Sequence, residues 1–126
     1  MNGNTVLLRQ VHPSFIQKGR VTSQAFRPTP KDEHKLSTYD GDQIQPWPAF
    51  QHYTEVLRFE SVGVLGVTVT ECGDLKLAVT PDPKPFPQHV VIDFSEFDKR
   101  AVESKAKSLR DKALPRGWFY QVAAAQ

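Results

Sequence analysis

Between Ser95 and Arg116 the chain carries one apolar stripe, Phe97, Ala101, Val102, Ala106, Leu109 and Ala113, at the three- and four-residue spacings that line a single helix face. The charges agree with that reading. Glu96 and Asp98 fall in the first turn, and Lys112 and Arg116 fall at the end, where the helix macrodipole favours each sign. Ser95, followed three residues later by Asp98, resembles a capping box and predicts a helix start at Ser95; Gly117, after Pro115, predicts its end. A helix with one apolar face must bury it against another layer. The segments on either side, HVVIDF (89–94) and WFYQV (118–122), are β-branched and aromatic, so that layer is expected to be a sheet.

The remaining segments fill out the same picture. TVLLRQV (5–11) reads as a first strand, stopped by His12-Pro13. VTSQAF (21–26) alternates apolar with polar and predicts a second strand. RPTPKDEHK (27–35) has two prolines and a charge run, which predicts an exposed loop, and Leu36 to Tyr39 forms a short strand before the Asp40-Gly41 turn. Ala49, Phe50, Tyr53, Val56 and Leu57 recur at helical spacing, so a helix is expected over 48–59 with Pro48 at its start. SVGVLGVTVT (61–70) suits a central strand buried on both faces, in which Gly63 and Gly66 mark a bulge or a close approach. Residues 71–79 read as irregular, and the run from Pro81 to Pro87, with proline at every second position, reads as a stiff extended connector. The expected fold is α+β, with one mixed, mostly antiparallel sheet packed by two helices in a single domain over residues 1–126.

Composition sets limits on function. A chain of 126 residues with 39% hydrophobic and 24% charged residues can build one core and lies far from the disordered class. No apolar run approaches the roughly 20 residues that cross a bilayer, and the lone Cys72 suits a reducing compartment, so a soluble cytoplasmic protein is expected. The net charge of +2 is too small to argue for nucleic acid. Two stretches are nonetheless locally basic. Residues 9–35 hold six Lys or Arg against Asp32 and Glu33, and residues 95–116 hold seven against four acids. In the second stretch Glu96 with Arg100 and Glu103 with Lys107 stand four apart, as on a solvated helix face.

No phosphate-binding glycine loop, nucleophile elbow, HExxH or CxxC is present, and the four histidines are scattered, so neither a metal nor a cofactor is expected. The candidate chemistry lies elsewhere. Arg9 inside an apolar strand and His12 just past its end put a permanent cation and a titratable ring near one rim, a pair able to hold a phosphate and move a proton. Salt-bridging or snorkelling by Arg9, with His12 a plain loop residue, explains them equally. Ser37, Thr38, Tyr39 and Asp40 set three hydroxyls beside a carboxylate, and His89 opens a strand where its ring is held at a sheet edge. The aromatic residues Trp47, Phe50, Tyr53, Trp118, Phe119 and Tyr120 suit core packing better than a base-stacking platform.

The stretches LLRQVHPSFI, GRVTSQAFRPTPKDEHKLSTYDGD and PDPKPFPQHVVI together resemble a family of small bacterial proteins of unassigned function, over most of the chain. The features that recur in it correspond here to Arg9, Ser23 to Phe26, Leu36-Ser37 and His89, and they imply a shared polar cluster without an activity. The chain is also faintly similar to small ADP-ribosyltransferase-like folds, which use an Arg or His in the first strand and a hydroxyl in the next for NAD; no glutamate stands at that family's catalytic acid. Two readings of function follow. One is a cytoplasmic bacterial interaction domain that binds a protein partner. The other is a toxin-like enzyme acting on RNA or a nucleotide such as NAD, with Arg9 on a phosphate, His12 or His89 as acid or base, and Ser37 or Tyr39 positioning substrate. Nucleic-acid binding by the basic helix alone ranks behind both.

Overall fold

A computed structural model describes residues 1–122. Its frame is a six-stranded sheet in the order β6-β7-β4-β1-β5-β8, built from β1 (Val6–Gln10), β4 (Lys35–Asp40), β5 (Gly63–Thr68), β6 (Ala78–Pro81), β7 (His89–Asp93) and β8 (Tyr120–Gln121). The neighbouring strands pair antiparallel. A separate two-stranded ribbon joins β2 (Ile16–Gln17) to β3 (Arg20–Val21). The fold is therefore α+β with a mostly antiparallel sheet. Among the described residues, no helix is long and apolar enough to cross a membrane.

The alternation of a strand sends successive residues to opposite faces, and both faces of this sheet are covered. Leu7, Leu36, Leu65, Val67, Val90 and Ile92 point to one side, where α3 (Lys99–Arg116) buries Val102, Ala106, Leu109 and Ala113 against them. Leu8, Tyr39 and Val64 point to the other, beneath α1 (Pro46–Gln51), which contributes Ala49. The α3 stripe is the one read from the sequence, but the helix starts later. Asp98 is the N-cap, accepting from the Ala101 N–H at 2.8 Å, and Ser95 instead donates its N–H to the Asp93 carboxylate.

Four segments differ from their sequence expectation, each for a physical reason. Residues 21–26 do not form a strand: β3 ends at Val21, and Ser23–Phe26 is a 3-10 turn packed under α3. A strand would send Ala25 and Phe26 to opposite faces, whereas both are fully buried in the same core, which only a turn allows. The strand expected over 61–70 stops at Thr68, because Thr68 and Glu71 form a reciprocal capping box that starts a short helix, α2 (Val69–Asp74), where irregular chain was expected. Helix α1 begins earlier than expected, at Pro46, and runs into a π turn at His52–Val56 that turns Val56 out to 66% exposure. The proline run is not an extended connector. It is the loop of the β6-β7 hairpin, closed by the Asp82 N–H donating to the His89 carbonyl at 2.9 Å.

The α2 cap is clipped to the end of α3. Arg116 donates to the Gly66 carbonyl at 2.8 Å and reaches both oxygens of the Glu71 carboxylate, the closer at 2.8 Å. Gly66 lets the Phe119 ring and the Val6 side chain lie close to β5, since a Cβ there would run into both. Partial burial by itself pushes the Glu71 carboxyl up, but hydrogen bonds from Arg116 and Thr68 outweigh it and hold the group below its ordinary 4.5.

Two outcomes follow from this packing. Phe26→Ala removes a fully buried ring from the main core and is expected to cost about 3–5 kcal/mol in urea denaturation; a loss under ~1 kcal/mol would show that the α3 layer does not depend on it. A carboxylate held below its unfolded value contributes stability that is complete above that value and lost as pH falls through the folded one. The stability gap between wild type and Glu71→Gln is therefore expected to hold near neutrality and to close below about pH 4.5 in a denaturation series.

Candidate functional site

β1 is registered with β5 along its whole length but with β4 at only two residue pairs, Leu7 with Asp40 and Leu8 with Tyr39. Beyond them β1 and β4 part, and Arg9 occupies the opening. Its Nε donates to the Ala25 carbonyl at 2.7 Å and its Nη1 to the Ser37 carbonyl at 3.0 Å, so the guanidinium ties β1 to the 3-10 turn and to β4. Burial lowers its pKa, and the nearby Tyr53 and Asp32 act in the opposite direction; the group stays charged because arginine starts so high. Among the described residues no carboxylate pairs with it directly.

The parted strands open into a cleft of about 840 Å³, within the range of small-molecule sites. Its lining sets four cations, Arg9, Arg27, Lys31 and Lys35, against the single carboxylate of Asp32. Asp32 is itself occupied, accepting from the Thr29 hydroxyl at 2.9 Å. Behind the lining, the Arg27 Nε and the Gln10 Nε2 are buried without a partner, while Arg27 Nη2 reaches the Ser23 hydroxyl at 3.4 Å and Ser61 holds the other end of the Gln10 amide. The opposite wall is aromatic. Tyr39 stacks on Phe86 with centroids 4.7 Å apart, and Tyr53 lies 5.2 Å from Phe59. Burial pushes both tyrosine hydroxyls up, so they remain protonated donors at neutral pH.

Ser37 belongs both to this cleft and to a smaller recess beside it, lined also by Lys31, Asp32, Glu33, Lys35, Asp82 and His89. On the pleat Ser37 and His89 lie diagonally across the β4-β7 pair, and the Ser37 hydroxyl meets His89 Nε2 at 3.0 Å. The other ring nitrogen, Nδ1, is 2.9 Å from the Asp82 carbonyl and 3.4 Å from its carboxylate. A carbonyl oxygen can only accept, so in the neutral ring Nδ1 carries the proton and Nε2 presents its lone pair to the Ser37 O–H. Ser37 is exposed, while His89 behind it is 6% exposed. A hydroxyl, an imidazole and a carboxylate-bearing residue thus stand in hydrogen-bonded order at the cleft rim.

Of the residues singled out from the sequence, Arg9, Ser37 and His89 are joined through Ser37, and Tyr39 lines the same cleft. His12 stands apart: its Nδ1 accepts from the Ser14 N–H and caps the turn at Pro13–Phe15. The Tyr39 hydroxyl faces away from Ser37, onto His52 Nδ1 at 2.8 Å. Sequence reasoning missed Asp82, hidden in a run read as a connector, and Arg27 and Gln10, whose unpartnered buried atoms exist only in the assembled fold. Among the described residues no group of three or more His, Cys, Asp or Glu could hold a metal ion. The aromatic set divides. Trp118 packs on the main core and Phe50, Tyr53 and Tyr120 on the second, while Trp47 and Phe119 are 49% and 40% exposed. Compared with family models, with curated proteins and with solved structures, the chain matches none of them.

Proposed function

We propose that this protein binds a phosphorylated ligand carrying a planar ring, of the nucleotide class, in the cleft between β1 and β4. The observation that carries the reading is the excess of cations over acids in the cleft lining, Arg9, Arg27, Lys31 and Lys35 against Asp32 alone. Such a wall attracts an anion, and arginine's planar fork suits phosphate oxygens. Tyr53, Phe59 and Phe86 supply ring faces for the planar part. A phosphate alone would leave that aromatic wall unused, and an apolar ligand would leave the four cations without a counter-charge.

A protein partner is the second reading, and a specific observation favours it. Trp47 stacks on Phe50 and Tyr120, at 5.8 and 5.1 Å, yet stays half-exposed at a distance from the cleft lining. Half-exposed tryptophans anchor interfaces out of proportion to their number.

Titration calorimetry with AMP, ATP, NAD and a short single-stranded RNA tests the first reading. At least one is expected to bind, more weakly as salt rises, and Arg27→Ala is expected to lose about tenfold or more in affinity, the worth of one charge-assisted bond. No binding at millimolar ligand, or equal binding by Arg27→Ala, would remove it. For the second reading, Trp47→Ala is expected to abolish recovery of a stoichiometric partner while leaving ligand affinity unchanged; wild type recovered alone at native levels would count against a partner.

A further inference from the structure

We propose that Ser37 is a nucleophile toward phosphorus, with His89 as its general base and Asp82 as the residue that positions the imidazole. The inference rests on the cleft as an anion site for its substrate and goes beyond binding to a reaction at its rim.

Three observations combine. The first is the tautomer. The Asp82 carbonyl at 2.9 Å fixes the proton on His89 Nδ1, so Nε2 at 3.0 Å can only accept from the Ser37 hydroxyl, the arrangement in which a base withdraws that proton. The Asp82 carboxylate at 3.4 Å then faces the imidazolium that forms. The second is access. The ring is shielded from water between β6 and β7 and by Phe86, whose centroid lies 4.9 Å from it, while the Ser37 oxygen stands on the open side. The third is the charge around the oxygen. Ser37 also lines the main cleft, where four cations face Asp32 alone, whereas the recess itself sets Lys31 and Lys35 against Asp32, Glu33 and Asp82. Charge developing on phosphoryl oxygens would meet cations on the cleft side, which favours phosphorus over an uncharged carbonyl as the centre attacked.

The chemistry balances without a co-reactant other than water. The Ser37 oxygen forms a bond to phosphorus as the bond from phosphorus to the leaving alcohol breaks. His89 Nε2 takes the hydroxyl proton and delivers it to the departing oxygen. Water then attacks the phosphoserine, gives its proton to Nε2, and the Ser37 oxygen recovers a proton as its bond to phosphorus breaks. The net change is hydrolysis of a phosphate ester.

The alternative is that the Ser37-His89-Asp82 chain merely pins the proline loop to the sheet. A phosphoryl fluoride, diisopropyl fluorophosphate, separates the two, because it reports attack on phosphorus and needs none of the cations. Native wild type is expected to gain the phosphoryl adduct on Ser37 by peptide mass spectrometry, and the same protein unfolded in urea is not. Ser37→Ala is expected to take no label, and His89→Gln, checked for native circular dichroism, to label at least about 100-fold more slowly. Wild type is then expected to cleave 4-nitrophenyl phosphate in preference to 4-nitrophenyl acetate. Absence of the Ser37 adduct in native protein, equal labelling of native and unfolded chain, or unchanged labelling of a folded His89→Gln would overturn the nucleophile. Turnover confined to the acetate would overturn the assignment to phosphorus. Nucleotide binding without Ser37 labelling would leave the proposed binding function standing and remove only this inference.

Discussion

The guanidinium of Arg9 sits where two strands of a sheet would otherwise continue to pair, and the form of the cleft depends on it. A ladder between β1 and β4 beyond Leu8 and Tyr39 would satisfy backbone groups with backbone groups. Instead the Ala25 and Ser37 carbonyls are satisfied by one side chain, which spans a gap that the backbone leaves open. The arrangement brings a charge into a half-buried setting, where desolvation opposes it, and the nearby Tyr53 and Asp32 offset only part of that effect. With no carboxylate bonded to it, Arg9 gives the opening a standing positive potential that Arg27, Lys31 and Lys35 extend.

The proline hairpin acts on the same opening from the other side. Proline fixes φ, so a loop carrying proline at 81, 83, 85 and 87 loses little further freedom when it folds. That rigidity reaches the site through two residues. Phe86 is laid on Tyr39 and forms part of the cleft wall, and Asp82 is set against His89 through both its carbonyl and its carboxylate. His89 in turn meets Ser37, whose carbonyl Arg9 already holds. Arg9 and the hairpin therefore converge on one residue of β4 from opposite neighbours.

The sequence discloses elements whose burial pattern has one period and conceals those whose structure comes from side chains meeting across the fold. Val102, Ala106, Leu109 and Ala113 repeat at helical spacing, so α3 was legible, as were the apolar runs of β5 and β7. Ala25 and Phe26 were misread because a short alternation also fits six residues of a strand, and only the α3 surface requires both to be buried together. α2 had a local signal, Thr68 with Glu71 three residues on, but it lay inside a valine and threonine run whose β character hid it. The site divides in the same way. Arg9, Ser37 and His89 were conspicuous as polar groups on strands, whereas Asp82, Arg27 and Gln10 acquire their roles only from the hairpin, the loop and the second face.

The distribution of order around the cleft bears on what can happen there. Ser37 and His89 stand on paired strands with neighbours on both sides, and Asp82 stands in a proline-rich turn, so the hydrogen-bonded chain is carried by paired backbone and by residues whose φ is restricted. The cations differ. Lys31 and Arg27 belong to the loop 27–34, which closes on itself through the Thr29 carbonyl and turns at Glu33 and His34 with φ of 57° and 62°. Left-handed backbone at two consecutive non-glycine residues is held by its surroundings rather than preferred. A rim fixed by strand pairing therefore stands beside a loop whose conformation depends on its contacts, and the charges of the cleft are divided between them: Arg9 and Lys35 on strands, Arg27 and Lys31 on the loop.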